Sequence, residues 1–375
     1  MPITGLACVR WSGRRSAMAV PLLRACATIF SFLMLQCPNR NFRQRNDACL
    51  SPRCYGYTAL TLKFQRYRGY LDMSMPATLA LQILVMFMLV GVGFAMFRAG
   101  KITMEGNRTI GNILVYLSLP CVIVKGLMVE RTAESVLALG LSALMGFTAL
   151  LVSALVARLV LRDDAIGNFA ATFSNPSFFG IPLVVSILGQ EPVFYMTAYI
   201  AFMNLGQWTY GVSLLSGERG RVSLRSLVRS PFMVATLIGL VLFTTQLQLP
   251  GVVTSCLDYI SALNTPLAMF AIGVYLAQSH PTDMIRRAGL YKVALSRLFI
   301  APLVTLALLS LLPASMLDMK LAILIAQACP VGLNVAVYAQ LHDADYVYAV
   351  ETVVVSVLVS LVSIPLVVGL AQLVW

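Results

Sequence analysis

The sequence predicts an all-α polytopic membrane protein: ten transmembrane helices as two inverted five-helix repeats, with crossed broken helices in spans four and nine. Three observations carry this expectation. The 375 residues are 59% hydrophobic and only 11% charged, with a mean hydropathy of +0.84, whereas a soluble domain is about a quarter charged. From Met75 onward the apolar residues gather into ten stretches of bilayer-crossing length, about 20 residues each. Helix breakers then recur at matching places in the first five stretches and the last five.

Residues 1–74 read as a basic N-terminal extension. Within residues 1–72, eleven Lys and Arg stand against Asp47 and Asp72, which is +9 of the net +12. The basic excess is therefore confined to one segment, and no nucleic acid is expected as a partner. The run Ala17–Leu35 is weakly apolar and carries Arg24, a poor further span. The expected natural start is Met73 or Met75, with the extension a start-site artefact or disordered. A processed or targeting segment is the alternative, since the stretch is Arg-rich and poor in acids.

The first repeat, residues 75–215, holds apolar stretches at 77–97, 109–129, 135–157, 167–189 and 192–214. A polar, basic linker, "SGERGRVSLRSLVRS", covers 216–230 and is expected in the cytoplasm. The second repeat, residues 231–375, holds stretches at 231–248, 256–278, 290–312, 319–341 and 346–373. Loops leaving odd-numbered spans carry twelve Lys/Arg, among them Arg98, Arg158, Arg162, Arg286 and Arg287; the other loops carry Lys125, Arg131 and Lys320. That bias puts the basic loops in the cytoplasm and both ends of the helical core outside. Because five is odd, the halves insert upside down relative to each other, as in many secondary transporters.

Matched breakers support the duplication. Span two carries "YLSLP" with Pro120, and span seven carries "LNTPLAMFAIG" with Pro266. Span four carries "SNPSFFGIP", with Asn175, Pro176, Gly180 and Pro182; span nine carries "QACPVGLNVAVYAQ", with Pro330, Gly332 and Asn334. A proline inside a helix removes a donor and clashes with the preceding turn. A break in mid-membrane frees carbonyls from the first half-helix and amides from the second, whose N-terminus is electropositive. Two such N-termini meeting make an anion site. The freed carbonyls need partners as well, from Asn175, Asn334, water or a coupling cation. Pro120, Pro266, Pro302 and Pro365 taken singly read as tolerated kinks.

Other polar residues in the spans offer two readings each. Asn204 and Gln207 lie three apart on one face of span five, as helix–helix glue or as substrate contacts. Glu351 and Arg297 are ionisable groups within spans ten and eight, which are usually functional. They form a structural ion pair, or Glu351 is a proton carrier. Lys125 and Asp258 are expected to reach the interface, and His280 and His342 to be solvated. Cys121, Cys256 and Cys329 sit singly in apolar runs and read as inert. There is no HExxH, no GxSxG and no P-loop, since "FRAGK" lacks the earlier glycine. An enzyme is not expected, nor a metal or cofactor; a coupling ion, proton or sodium, is left open.

These motifs resemble the auxin efflux carrier family, especially its short bacterial members. The marks are "LSLP", "ATFSNPSFFGIPLVVSILG", "NTPLAMFAIGVYLA", "AQACPVGLNVAVYAQ" and "VVVSVLVSLVSIPLV", over about residues 76–373. The resemblance implies a scaffold of spans 1, 2, 6 and 7 and a mobile transport domain of spans 3–5 and 8–10. It implies elevator-type alternating access for a carboxylate such as malate, malonate or an auxin-like acid. Asn175, Pro176, Gly180 and Pro182 match the first crossover, and Pro330, Gly332 and Asn334 the second. A bacterial inner (plasma) membrane location, lipid contact and a homodimer through the scaffold helices go with it. The alternatives are a receptor or scaffold that keeps the fold without transport, and a sodium-coupled organic-anion symporter of related fold.

Overall fold

A computed structural model describes residues 74–216, 229–279 and 281–375. The expectations for the N-terminal extension, for most of the linker and for His280 lie outside the described residues. In chain order the first helices are α1 (Met75–Arg98), α2 (Met104–Gly126), α3 (Ala133–Val160), α4 (Ala165–Thr172), α5 (Pro176–Leu188) and α6 (193–215). Then follow α7 (Pro231–Thr245), α8 (Gly251–Gln278), α9 (Pro281–Arg286) and α10 (Ala288–Leu309). Last come α11 (Leu317–Ala328), α12 (Asn334–Leu341) and α13 (Tyr346–Val374). Helices α1, α2, α3, α8, α10 and α13 are each long and apolar enough to cross a bilayer. The protein is an integral, multi-pass membrane protein, and faces such as Leu137, Leu144, Leu155 and Leu159 of α3, each at least 60% exposed, meet lipid.

Local chemistry sets the helix ends. Pro76 sits in the first turn of α1, where its missing N–H has no intrahelical use. Thr103 Oγ1 accepts from Gly106 N at 3.0 Å and opens α2. Thr132 and Ser135 form a reciprocal capping box at α3. Asp164 Oδ1 accepts from Gly167 N at 2.7 Å at the start of α4. Arg98 and Arg158 close α1 and α3, cations against the electronegative helix ends.

Three of the prolines inside helices share a pattern. Pro120, Pro182 and Pro302 each come two residues after a π-helical turn: Leu114–Ser118, Pro176–Gly180 and Ser296–Ile300. In each case the residue before the proline bonds five residues back, Leu119 to Leu114, Ile181 to Pro176 and Ala301 to Ser296. Widening the turn relieves the clash a proline ring makes with the carbonyl four residues earlier. These helices continue through their prolines. Two spans do not.

The apolar stretch at 167–189 is divided into α4 and α5, and that at 319–341 into α11 and α12. Phe173 is extended (φ −107°, ψ 109°), as is Cys329 (φ −60°, ψ 150°), which precedes Pro330 and is barred by it from the helical region. The two breaks touch. Ser174 and Val331 form an antiparallel bridge, and Gly332 N donates to Phe173 O at 3.1 Å. Each interruption thereby satisfies backbone groups of the other, which a site away from water requires. The chains run in opposite directions where they meet.

Helix α11, which leads into this crossing, is enclosed by protein. Every residue of α11 from Met319 to Ala328 is buried, as a helix surrounded by protein must be. Away from it, α1 and α8 cross backbone to backbone. A Cβ on Gly93 would lie 2.4 Å from Phe270 O, and one on Gly273 would lie 2.2 Å from Val90 O, so glycine is required at both. Small residues permit this approach between membrane helices.

Candidate functional site

The meeting of the two breaks leaves a small cavity lined by both polar and apolar groups. Its wall includes Asn175, Pro176, Ser177 and Phe178 from the start of α5, and Gly332, Leu333 and Asn334 from the start of α12. Ser174 of the first break, Met203, Asn204 and Gln207 of α6 and Leu119 of α2 complete it. Its volume is about 20 Å³, room for roughly one water. The electropositive ends of two half-helices therefore share one cavity.

Each element brings its residue for a local reason. Pro176 is the first residue of α5, where a missing N–H costs nothing. Asn175 is its N-cap, and Oδ1 accepts from Phe178 N at 3.3 Å. The Nδ2 of Asn175, buried at the cavity, has no hydrogen-bond partner. Asn334 Nδ2 donates to Gln207 Oε1 at 2.7 Å, which ties α12 to α6. Asn204 Nδ2 donates one turn back to Ile200 O at 2.8 Å. Gln207 begins a π-helical turn, Gln207–Gly211, of the kind that often accompanies functional sites.

Gly180, Pro182 and Pro330 were expected with this set and lie off the cavity wall. Gly180 serves packing: a Cβ there would meet Cys329 Sγ and Met196 Cε at 3.0 Å. Pro182 accounts for the π-helical turn of α5, and Pro330 for the break itself.

The expected Arg297–Glu351 pair is not formed. Glu351 Oε2 pairs with Arg287 Nη1 at 2.9 Å, and Arg287 Nη1 lies 3.8 Å from Asp345 Oδ2. Arg287 is the N-cap of α10, while Arg297 sits ten residues further along, about 15 Å up the helix axis. There Arg297 is fully buried (0% exposed). Its Nη1 donates to Ser153 Oγ at 3.0 Å, Ala171 O at 3.2 Å and Thr172 O at 3.0 Å. Its Nη2 donates to Gln327 O. Lys125 and Asp258, in contrast, pair with each other at 2.6 Å near the helix ends.

Several residues around the site escaped the sequence reading. Tyr199 OH donates to Gln327 Oε1 at 2.6 Å, and Gln327 Nε2 donates to Ser153 Oγ at 2.8 Å and Ala149 O at 3.1 Å. Ser356 Oγ accepts from Val331 N at 3.0 Å inside the second break. Asn264 of α8 donates from Nδ2 to Ser177 O at 2.8 Å, and Ser118 Oγ of α2 donates to Ile260 O at 3.0 Å. Ser118 and Asn264 stand inside the matched "LSLP" and "LNTP" motifs, so their signal lay beside the prolines that mark those motifs. Among the described residues no three His, Cys, Asp or Glu side chains gather as a metal site would need.

The family described as "Membrane transport protein" matches residues 78–224 and 218–368. An uncharacterized transporter of Methanothermobacter thermautotrophicus is 30% identical over 202 residues, 52% of this chain and 65% of that protein. The matched part thus spans just under two thirds of that relative. An uncharacterized transporter of Methanocaldococcus jannaschii is 21% identical over 303 residues, covering 76% of this chain and 96% of its own. A putative malonate transporter of Rhizobium meliloti is 24% identical over 300 residues, covering 75% and 92%.

Proposed function

Because the chain belongs to the Membrane transport protein family, we propose that it is a secondary carrier for a small organic anion, a carboxylate of the malonate or malate class. One observation carries the reading: the first turns of α5 and α12 line a single cavity, where the buried Asn175 Nδ2 lacks a partner. Unpaired donors at helix N-termini favour an anion, and discontinuous helices of this kind hold substrates in carriers. The printed name of the Rhizobium relative, a putative malonate transporter, agrees with a carboxylate.

In this reading the chain is a short bacterial-type auxin efflux carrier, with ten spans in two inverted repeats. Helices α1, α2, α7 and α8 are the scaffold, through which two copies pair. Helices α3–α6 and α10–α13 move together and carry the crossover between the two faces of the plasma membrane. A cavity of about 20 Å³ is too small for a dicarboxylate, so the site opens by movement, as alternating access requires. Asn175, Asn204, Gln207 and Asn334 contact the substrate, and the breaks at Pro176, Pro330 and Gly332 shape its cradle.

The test is uptake of labelled malonate and malate into proteoliposomes holding the purified full chain. Saturable uptake, competed by the unlabelled acid and absent from empty liposomes, is expected. No flux of any mono- or dicarboxylate would overturn the carrier reading in favour of a receptor or scaffold that keeps the fold.

A further inference from the structure

The carbonyl ends of the two broken helices pose the converse problem to the cavity. Helix α4 ends at Thr172 and α11 at Ala328, each leaving last-turn carbonyls without intrahelical amides. A helix C-terminus carries about half a unit of negative charge, so two together approach about one unit. In carriers with broken helices, such ends coordinate a cation. In this fold a side chain stands there.

Arg297 reaches both ends at once. One nitrogen bonds Ala171 O at 3.2 Å and Thr172 O at 3.0 Å, closing α4. The other bonds Gln327 O, closing α11. Ser153 Oγ accepts from the same guanidinium at 3.0 Å and also from Gln327 Nε2 at 2.8 Å. No carboxylate pairs with Arg297 among the described residues. A buried guanidinium without a carboxylate is costly unless something else carries the opposite charge, and the two helix ends supply about that much. The planar fork suits carbonyls on two different helices in a way that an ammonium does not.

We propose that Arg297 is a tethered cation occupying the place of a coupling metal ion, so that the crossover binds its anion with the carbonyl side already neutralised. Arg297 is then a positioning residue: it touches no substrate, but holds the carbonyl ends of α4 and α11 together and so sets the spacing of the N-termini of α5 and α12. The transport consequence rests on the carrier reading; the cation site itself does not.

Two measurements on the purified full chain test this. For the wild type, sodium chloride is exchanged for N-methyl-D-glucamine chloride at constant ionic strength, while Tm and labelled malonate uptake are followed. Less than a twofold change in uptake and no shift in Tm are expected; a tenfold dependence on sodium, or a sodium-dependent rise in Tm, would overturn the proposal. For Arg297→Ala, guanidinium chloride at millimolar concentration is compared with tetramethylammonium chloride. A lowered Tm and at least tenfold lower uptake are expected, with Tm restored in part by guanidinium or sodium and not by tetramethylammonium. An Arg297→Ala protein with wild-type Tm, or with no cation response, would overturn it. Should that variant fail to accumulate, Arg297→Lys, expected to keep an intermediate Tm, and the wild-type exchange still decide. Absence of malonate flux in the wild type would sink the carrier reading alone, since the Tm measurements need no substrate.

Discussion

Asn175 and Asn334 follow the two breaks at comparable places, yet their amides do different work. Asn175 uses its oxygen as an N-cap and leaves its nitrogen unpartnered; Asn334 gives its nitrogen to Gln207. This separates the cap from the donor by substitution. Asn175→Ala removes both, with a cap loss of about 1 kcal/mol and a fall in malonate uptake of about tenfold or more. Asn175→Asp keeps an oxygen for Phe178 N while replacing the donor with a negative charge. It should hold Tm within a few degrees and abolish uptake, because the carboxylate repels an anionic substrate at close range. Uptake by Asn175→Asp at the wild-type level, measured in proteoliposomes, would count against an anion at this cavity.

At the scale of elements, five of the prolines act in two ways. Where a π-helical turn precedes the proline, as at Pro120, Pro182 and Pro302, the helix absorbs it and runs on. Where the backbone turns extended, at Phe173–Ser174 and Cys329–Val331, the broken segment needs a partner, and each break finds the other. The α1–α8 crossing is the other rigid feature. Gly93 and Gly273 meet backbone within van der Waals distance, so Gly93→Leu should force the helices apart and lower Tm sharply, by an overpacking cost of about 1–3 kcal/mol or more. Gly91, two residues away with nothing within 4 Å of its Cβ position, is the control. Gly91→Ala should leave Tm unchanged or raise it slightly, since alanine is the better helix former by about 1 kcal/mol. Thermal melts followed by size-exclusion chromatography compare the two, and equal melting points would contradict the crossing.

At the scale of the molecule, charge asymmetry and the crossover make a joint claim about orientation. Asp163, beside Arg162 in the loop between α3 and α4, is exposed, and so is Glu191 in the loop between α5 and α6. With the cysteines of the chain replaced, a single cysteine at Glu191 should react with an impermeant maleimide added to intact cells. A cysteine at Asp163 should react only after permeabilisation. The reverse pattern would invert the topology and set the basic loops against the bias that motivates them.

The six long apolar helices and the two interruptions could be read from the chain because both are local chemistry. Hydropathy over about 20 residues marks a crossing, and a proline beside asparagine and glycine marks a break whatever lies around it. Six cavity residues, Asn175, Pro176, Asn204, Gln207, Gly332 and Asn334, could be named in the same way, as polar or helix-breaking residues where lipid tolerates few. The partners could not. Arg297 and Glu351 look alike as buried ions in the sequence, yet one reaches carbonyls 125 and 30 residues away and the other an arginine 64 residues away. Which group a side chain meets depends on the rotation and rise of two helices packed together, and composition carries no record of either. Asn264, bonded to Ser177 across 87 residues, was hidden for that reason, and it took the folded arrangement to bring it to the crossover.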